Sequence, residues 1–158
     1  MSEHCKQDGG FIGKAGCTHP NHQHSELVRG LLAASEPRGH LHDITPKDFD
    51  AAVSEGFYVN GANGRRIGFG KALLRHFNED NNPNSDDIKN RKSRLLYAIN
   101  AVKHPDKVEW HHEGLQGRTA YTKAFDKFGV LAVSDREGKN IEYVFNIIPK
   151  RSLKRKPI

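Results

Sequence analysis

The sequence predicts an α+β fold in which N-terminal helices and a hairpin pack on a C-terminal antiparallel β-meander of about four strands. Apolar residues recur at helical spacing through most of the first two thirds of the chain. β-Branched and aromatic residues dominate the last third, where turn-like segments separate them into short runs. A chain of 158 residues suffices for one hydrophobic core and is too short for two ordinary domains.

Two helices are predicted in the first third of the chain. Segment 25–34 has apolar residues at helical intervals behind Ser25, a favourable N-cap residue. A stronger start signal combines Thr45 as N-cap with Pro46 at the first helical position, and Gly56 ends this second helix.

A hairpin and two further helices follow. The segments FYVN and RRIGF flank the turn GANG, where Gly61, Asn63 and Gly64 are expected to supply the positive φ angles of a hairpin turn. Segment 71–77 is predicted as a short helix. Segment 87–104 carries apolar residues at helical intervals throughout and is predicted as one continuous helix.

The four predicted strands are KVEWHH, GRTAYTKAF, GVLAVSD and IEYVFNII. Side chains alternate between the two faces of a strand, so in GRTAYTKAF one face carries Tyr121 and Lys123 and the other carries Arg118. A single strand can therefore place a phosphate-binding cation beside a hydroxyl donor. This alternation favours Lys123 over Arg118 as the cation that shares a cleft with Tyr121.

The positive charge is concentrated in the C-terminal part of the chain. The 25 Lys and Arg side chains exceed the 19 Asp and Glu side chains, which gives a net charge of +6. Residues 1–60 contain five basic and eight acidic side chains, whereas residues 61–158 contain twenty and eleven. Such an excess favours a polyanionic partner, nucleic acid first, although charge also serves solubility alone.

Several functional classes are excluded by missing patterns. No apolar run approaches the roughly 18 residues that span a bilayer, and the N-terminus lacks a secretory signal pattern. We therefore expect no membrane association and a location in the cytoplasm, or delivery into a target cell as an effector. The sequence also lacks the glycine-rich motifs of ATPases and dinucleotide-binding proteins.

A candidate zinc site lies in residues 1–40, which are predicted as a Cys/His-rich extension with a short helix. Thiolates and imidazoles are the ligands that zinc prefers, and four of them can order a segment that has no core of its own. The alternative is a solvated tail without metal. The candidate ligands are Cys5, Cys17, His19, His22 and His24.

A second constellation lies in residues 41–158 and has the groups that metal-independent RNA cleavage requires. The reaction needs a base for the 2′-OH proton, an acid for the leaving 5′-oxygen, and donors facing the phosphorane-like transition state. The candidate proton-transfer groups are His76, His111 and His112, of which the last two, being adjacent on a strand, point to opposite faces. Arg65, Arg66, Arg118, Lys123, Tyr121, Asn146 and Ser152 are the candidate phosphate-binding and donor residues.

For some of these residues a purely structural role is equally open. His76 lies near the apolar stripe of its helix, and a boundary histidine bonded to backbone is the alternative to a catalytic one. Arg65 and Arg66 fit a solvated hairpin as well as a binding site. The basic tail KRSLKRK fits a nonspecific polyanion-binding end.

The order of these features resembles a known family. The segments NGRRIGFGKALLRHF, RLLYAINAVKHPDKVEW, GRTAYTKAF and GVLAVSDREGKNIEYVFNIIP are similar to phage-associated nuclease domains of the barnase/EndoU/colicin/RelE (BECR) superfamily. The resemblance covers about residues 41–155. It implies a curved sheet whose concave face binds RNA and cleaves it without metal, leaving a 2′,3′-cyclic phosphate.

The resemblance also implies residue roles. The helix histidine of the pattern corresponds to His76, the strand pair to Tyr121 and Lys123, and a polar residue on or after the last strand to Asn146 or Ser152. We therefore expect a ribonuclease of the phage or bacterial-toxin type that acts on RNA, with an immunity protein or a phage structural protein as further partner. The alternative function is a noncatalytic phage-associated module that binds nucleic acid or protein.

Overall fold

A computed structural model describes residues 24–36, 39–113, 116–137 and 140–151. These ranges form helices and one six-stranded sheet, which confirms the predicted α+β class. The helices are α1 (Glu26–Ala34), α2 (Pro46–Glu55), α3 (Lys71–Asn78), α4 (Asp86–Ser93) and α5 (Leu95–Lys103). The strands are β1 (Phe57–Asn60), β2 (Arg66–Phe69), β3 (Lys107–Glu113), β4 (Gln116–Ala124), β5 (Gly129–Glu137) and β6 (Ile141–Lys150). None of the helices in the described ranges is long and apolar enough to cross a membrane.

The sheet joins the predicted hairpin to the predicted meander. Its strand order is β1-β2-β6-β5-β4-β3, and every neighbouring pair is antiparallel except β2 and β6. Strand β6 runs in the same direction as β2 and pairs with it, and this parallel pair connects the hairpin to the meander. The chain leaves β2 directly into α3, which packs against β6.

The first two helices begin at the predicted caps. The Ser25 hydroxyl accepts the Val28 N–H at 3.2 Å, and the Thr45 hydroxyl accepts the Asp48 N–H at 3.1 Å. Helix α1 packs against α2 and α5, and its Val28 side chain is fully buried in the common core. The helix predicted within residues 1–40 therefore belongs to the same packing unit as the rest of the described chain.

The hairpin turn differs from the prediction in its backbone angles. Only Gly64 has a positive φ, at 80°, whereas Gly61 and Asn63 do not. The Gly61 N–H donates to the Arg65 carbonyl at 2.8 Å, and the Gly64 N–H donates to the Gly61 carbonyl at 3.0 Å. These two bonds close the turn with a single left-handed residue, so the expected positive φ angles at the other two positions are wrong.

The predicted continuous helix over 87–104 is interrupted. Helix α4 ends at Ser93, and Arg94 has φ −94° and ψ 17°, outside the helical range. The Ser93 carbonyl accepts the Ile44 N–H at 3.1 Å, and so is used by a distant segment rather than by the helix. The change of direction lets α4 contact β6 while α5 packs on β4 and β5.

The two faces of the sheet differ in burial. The covered face lies under the helices, and its strand side chains are fully buried; they include Ile67, Phe69, Tyr121, Val130, Ala132, Val144 and Ile147. The open face carries the residues that alternate with these, and most of them are partly exposed. The open face includes Arg66, Arg118, Leu131, Val133, Asp135, Tyr143, Phe145 and Asn146.

Candidate functional site on the open face of the sheet

A buried polar network occupies the covered face and contains two predicted site residues, Tyr121 and Arg65. Its hydroxyl donates to Glu142 Oε1 at 2.6 Å, and the Ser134 hydroxyl donates to the same oxygen at 2.7 Å. Asn63 donates to the Tyr121 hydroxyl at 3.0 Å, and Arg65 Nε lies 3.4 Å from Glu142 Oε2. We call these five residues the Glu142 network.

The Glu142 network accounts for the Tyr121 hydroxyl without a substrate, and it binds Arg65 through Nε, whereas Arg65 Nη1 is buried without a hydrogen-bond partner. Tyr121 and Glu142 are both fully buried. Burial and the hydrogen bond to Glu142 raise the pKa of Tyr121 well above its usual value, so the hydroxyl stays protonated. Arg65 is largely buried as well, with 19% of its side chain exposed, and is not the solvated hairpin residue of the alternative reading.

Lys123 shares the covered face with Tyr121, as the alternation predicts, but lies at its margin. Its ammonium group donates to the His104 carbonyl at 2.7 Å. It lines a cleft of about 300 Å³ whose other lining residues include Glu36, Leu41 and Phe125. The structure does not bring His76 together with Tyr121 and Lys123, because His76 contacts the open face.

A bulge in β6 shapes the centre of the open face. Val133 pairs with Asn146 and the next residue, Ser134, pairs with Val144, so Phe145 is an extra residue in β6. A bulge of this kind sets two residues opposite one, and Phe145 and Asn146 consequently both lie on the open face. The alternation of the flanking buried residues, Val144 and Ile147, agrees with this assignment.

The Phe145 ring connects α3 to β4. The His76 ring on α3 meets it edge-on, with the ring centres 5.8 Å apart and the planes at 85°. The Arg118 guanidinium on β4 lies 4.8 Å from the centre of the same ring. Arg118 Nε also lies 3.1 Å from Asp135 Oδ1, in an ion pair that is about half exposed.

The other bulge residue, Asn146, connects β6 to α4. Its side-chain oxygen accepts a hydrogen bond from Arg91 Nη1 at 3.0 Å. Arg91 Nε in turn bonds Asp87 Oδ1 at 3.2 Å, one helical turn earlier. We call the group His76, Arg91, Arg118, Phe145 and Asn146 the bulge site, because every member lies on the bulge or contacts it.

His76 is held in a form suited to accept a proton. Partial burial is the main cause that lowers its pKa from the usual 6.5, and the positive charge of Arg91 lowers it further. The negative charge of Asp80 acts in the opposite direction. The net shift is downward, so the imidazole is neutral at pH 7 and available as a base.

The remaining candidates are placed as follows. Arg66 lies on the open face, with its guanidinium 5.1 Å from the centre of the Tyr58 ring. The backbone of His111 pairs with Arg118, and that of His112 pairs with Gly117 on the covered side. By backbone pairing, position 111 lies opposite Arg118, which belongs to the bulge site.

Several predicted residues lie outside the described part of the chain. These are Ser152 and four of the five candidate zinc ligands, Cys5, Cys17, His19 and His22. The fifth, His24, has its Nδ1 3.5 Å from Glu55 Oε2. Within the described ranges, no group of three or more His, Cys, Asp or Glu side chains is placed to hold a metal ion.

Two members of the bulge site, Arg91 and Phe145, are not among the site residues that the sequence predicts. Arg91 sits in a polar helix with a weak apolar stripe, so its sequence does not show which face meets the sheet. Phe145 follows the ordinary alternation of β6 only if the bulge is ignored. In the structure the bulge is visible as two partly exposed residues between the buried Val144 and Ile147.

Comparison of the chain with protein-family models, with curated proteins and with solved structures found no match. The geometry of the described residues is therefore the basis for proposing a function.

Proposed function

We propose that this protein binds RNA on the open face of its sheet and cleaves it by attack of a 2′-OH on the adjacent phosphate. The observation that carries the proposal is the bulge site, where a neutral histidine and two arginines surround one bulge. Histidine supplies proton transfer, and guanidinium groups bind phosphate oxygens with two parallel hydrogen bonds. The same types of residue on the covered face, Tyr121 and Arg65, are bonded to Glu142 instead.

In the proposed reaction His76 takes the proton of the 2′-OH. The 2′-oxygen forms a bond to phosphorus while the bond from phosphorus to the 5′-oxygen breaks. His111 is assigned as the acid that protonates the leaving 5′-oxygen, since its position pairs with Arg118. The products are a 2′,3′-cyclic phosphate and a 5′-hydroxyl.

Arg118 and Arg91 have the electrostatic role. Negative charge builds up on the equatorial oxygens of the transition state, and fixed cations stabilise it without reorganisation. Arg118 is held by Asp135 and by the Phe145 ring, and Arg91 is held by Asp87 and Asn146. Both guanidinium groups are thereby positioned before substrate binds.

The test is RNA cleavage in EDTA by the full chain and by His76→Ala. We expect ladders of products ending in cyclic phosphates for the unchanged protein, and a rate lower by roughly 10²–10⁴-fold for the variant. His42→Ala is the matched control, because His42 is an exposed histidine outside the bulge site. It should cleave at the unchanged rate.

Thermal unfolding of each variant shows that the change is not a loss of folded protein. A failure of the unchanged protein to cleave any RNA, or equal rates for His76→Ala and His42→Ala, contradicts the proposal. Salt-dependent binding without turnover is the result expected of a noncatalytic nucleic-acid-binding module.

A further inference from the structure

Helix α4 is anchored to the rest of the protein by one apolar side chain and one charged side chain. Its sequence, DDIKNRKS, is polar, and its two buried residues are Ile88 and Lys92. These residues are four positions apart, so both lie on one face of the helix. Lys92 is 2% exposed and thus occupies a place that an apolar residue ordinarily fills.

The Lys92 ammonium group has partners on two other helices. Its Nζ donates to Asn78 Oδ1 at 2.7 Å, at the end of α3, and lies 2.9 Å from Asp50 Oδ1 on α2. Asn78 Nδ2 donates to the same Asp50 oxygen at 3.3 Å, and the Phe49 ring centre lies 5.7 Å from Nζ. We call Lys92, Asp50 and Asn78 the Lys92 cluster.

The Lys92 cluster stabilises one arrangement of α4 on α2 and α3. A buried ammonium group that loses its partners is costly, because no water replaces them. Asn78 is the last residue of α3, and Asp50 belongs to a different helix, so Lys92 keeps both partners only in one placement of α4. The cluster therefore restricts the rotation of α4 about its own axis.

The rotation of α4 determines where Arg91 points. Consecutive residues of an α-helix are separated by about 100° around its axis, so Arg91 and Lys92 face different directions. While Lys92 is directed at α2 and α3, Arg91 reaches β6, where its Nη1 donates to Asn146 Oδ1 at 3.0 Å. A rotation of α4 that released Lys92 would move Arg91 away from the bulge.

The His76 ring reports on the position of Arg91. The charged groups that act on it are Asp80, beyond the end of α3, and Arg91, on α4, and the charge of Arg91 lowers the pKa of His76. On the sheet side His76 meets the uncharged Phe145 ring, which the Arg118 guanidinium also contacts. A displacement of Arg91 from the bulge therefore raises the pKa of His76.

We propose that Lys92 is a positioning residue of the bulge site, which holds Arg91 against Asn146 by fixing α4 to the end of α3. The inference rests on the proposed function for the role of Arg91 in the reaction, whereas the positioning itself is a property of the protein without RNA. Because its ammonium group is buried, Lys92 acts through Arg91 and does not contact the substrate.

The experiment measures the titration of the His76 ring protons by NMR in the full chain without RNA. Lys92→Met keeps the length of the side chain and removes its ammonium group, and the pKa of His76 should rise. In an Arg91→Gln background, Lys92→Met should cause no further rise, because the group that it positions is already absent. With Arg91 present, Lys92→Met should slow RNA cleavage in EDTA by roughly 10²-fold, the effect of a misplaced catalytic group.

Lys103→Met is the matched control. Lys103 is the last residue of α5, its Nζ lies 2.7 Å from Glu36 Oε2, and its side chain is 16% exposed. The same substitution there breaks the ion pair of a largely buried lysine outside the Lys92 cluster. It should leave both the titration of His76 and the cleavage rate unchanged.

Two results overturn the positioning role. One is an unchanged titration of His76 in Lys92→Met, and the other is an equal rise of its pKa with and without Arg91. If Lys92→Met does not fold, Asn78→Ala gives the same test, since it removes the partner on α3 and leaves Lys92 paired with Asp50. Its effect on His76 should likewise disappear in the Arg91→Gln background.

The titration and the cleavage assay separate the two proposals. If the rise that depends on Arg91 is seen but no RNA is cleaved, the positioning role stands and the reaction fails. If RNA is cleaved with dependence on His76 while Lys92→Met changes neither the titration nor the rate, the reaction stands and the positioning role fails. Thermal unfolding shows that each variant is folded.

Discussion

Each face of the sheet has an ion pair between an arginine and a carboxylate, and the two pairs differ in burial. On the covered face Glu142 is fully buried beside Arg65, whereas on the open face Arg118 and Asp135 are about half exposed. A buried carboxylate needs all its partners inside the protein, and Glu142 has them in Tyr121, Ser134 and Arg65. An exposed pair can exchange its partner for a phosphate at little cost.

The comparison shows that residue type alone does not locate a site. Tyrosine, arginine and a hydrogen-bonding side chain occur together on both faces. On the covered face they are buried and bonded to one another except at Arg65 Nη1, whereas on the open face the Arg118–Asp135 pair is about half exposed.

Removing the buried carboxylate should cost far more stability than removing the exposed one. Glu142→Ala leaves Arg65 without its counter-charge and Tyr121 without its acceptor, so the free energy of unfolding should fall by roughly 3–5 kcal/mol. Asp135→Ala should lower it by less than about 1 kcal/mol. Denaturant unfolding measures both.

Glu142→Gln refines this test if the alanine variant does not fold. Glutamine keeps an oxygen that accepts from Tyr121 and Ser134 but removes the charge beside Arg65. Its loss of stability should lie between the other two. Similar losses of unfolding free energy for Glu142→Ala and Asp135→Ala would show that the buried and the exposed carboxylate contribute equally to stability.

Arg118 is the cation that we propose contacts the scissile phosphate. Arg118→Gln and Lys123→Gln each remove one positive charge from β4, but from opposite faces. We expect Arg118→Gln to slow RNA cleavage by roughly 10²-fold, the effect of losing one donor to the transition state. Lys123→Gln should leave the rate unchanged, since Lys123 bonds the His104 carbonyl at the edge of the covered face. A larger effect at Lys123 would place the phosphate on the other side of the sheet.

Much of the fold could be predicted because local signals agree with it. The caps at Ser25 and Thr45, the hairpin and the four C-terminal strands follow from residues that are near one another in sequence. The break at Arg94 could not be predicted from local sequence, because the Ser93 carbonyl accepts a hydrogen bond from the Ile44 N–H, which is far away in sequence.

The site could be predicted only in part, for a related reason. Alternation correctly separates Arg118 from Tyr121 and Lys123, but it does not say which face the helices cover. Strand β5 is apolar on both faces, with Val130 buried on one and Leu131 partly exposed on the other, so its pattern does not decide. The bulge at Phe145, which brings Asn146 to the same face, depends on pairing with β5.

A smaller effect is expected where a single hydroxyl is removed from the Glu142 network. Tyr121→Phe keeps the buried ring but leaves Glu142 with one donor fewer, so the free energy of unfolding should fall by about 1–2 kcal/mol. RNA cleavage per folded molecule should not change. A loss of cleavage without a loss of stability would indicate that the Tyr121 hydroxyl is a catalytic donor.

The smallest expected effect is on the pH dependence of cleavage. The proposed base, His76, can accept a proton only when it is neutral, so the rate should reach its full value at pH 7 and fall as the pH decreases below 6.5 through the lowered pKa. The charge of Asp80 raises this pKa, and Asp80→Asn should therefore move the acid limb to lower pH. The charge of Arg91 lowers it, and Arg91→Gln should move the limb to higher pH. Glu79→Gln, which changes a neighbouring carboxylate paired with Arg75, is the control.

NMR titration of the His76 ring protons measures the same shifts without reference to cleavage. Protonated His76 is disfavoured in the folded state, so the protein should also lose stability as the pH falls through this range. If Asp80→Asn and Arg91→Gln moved the titration in the same direction, the cause would be a change in the burial of His76. Opposite movements of the titration, matched by the acid limbs of cleavage, would identify His76 as the base and place it in the field of Arg91.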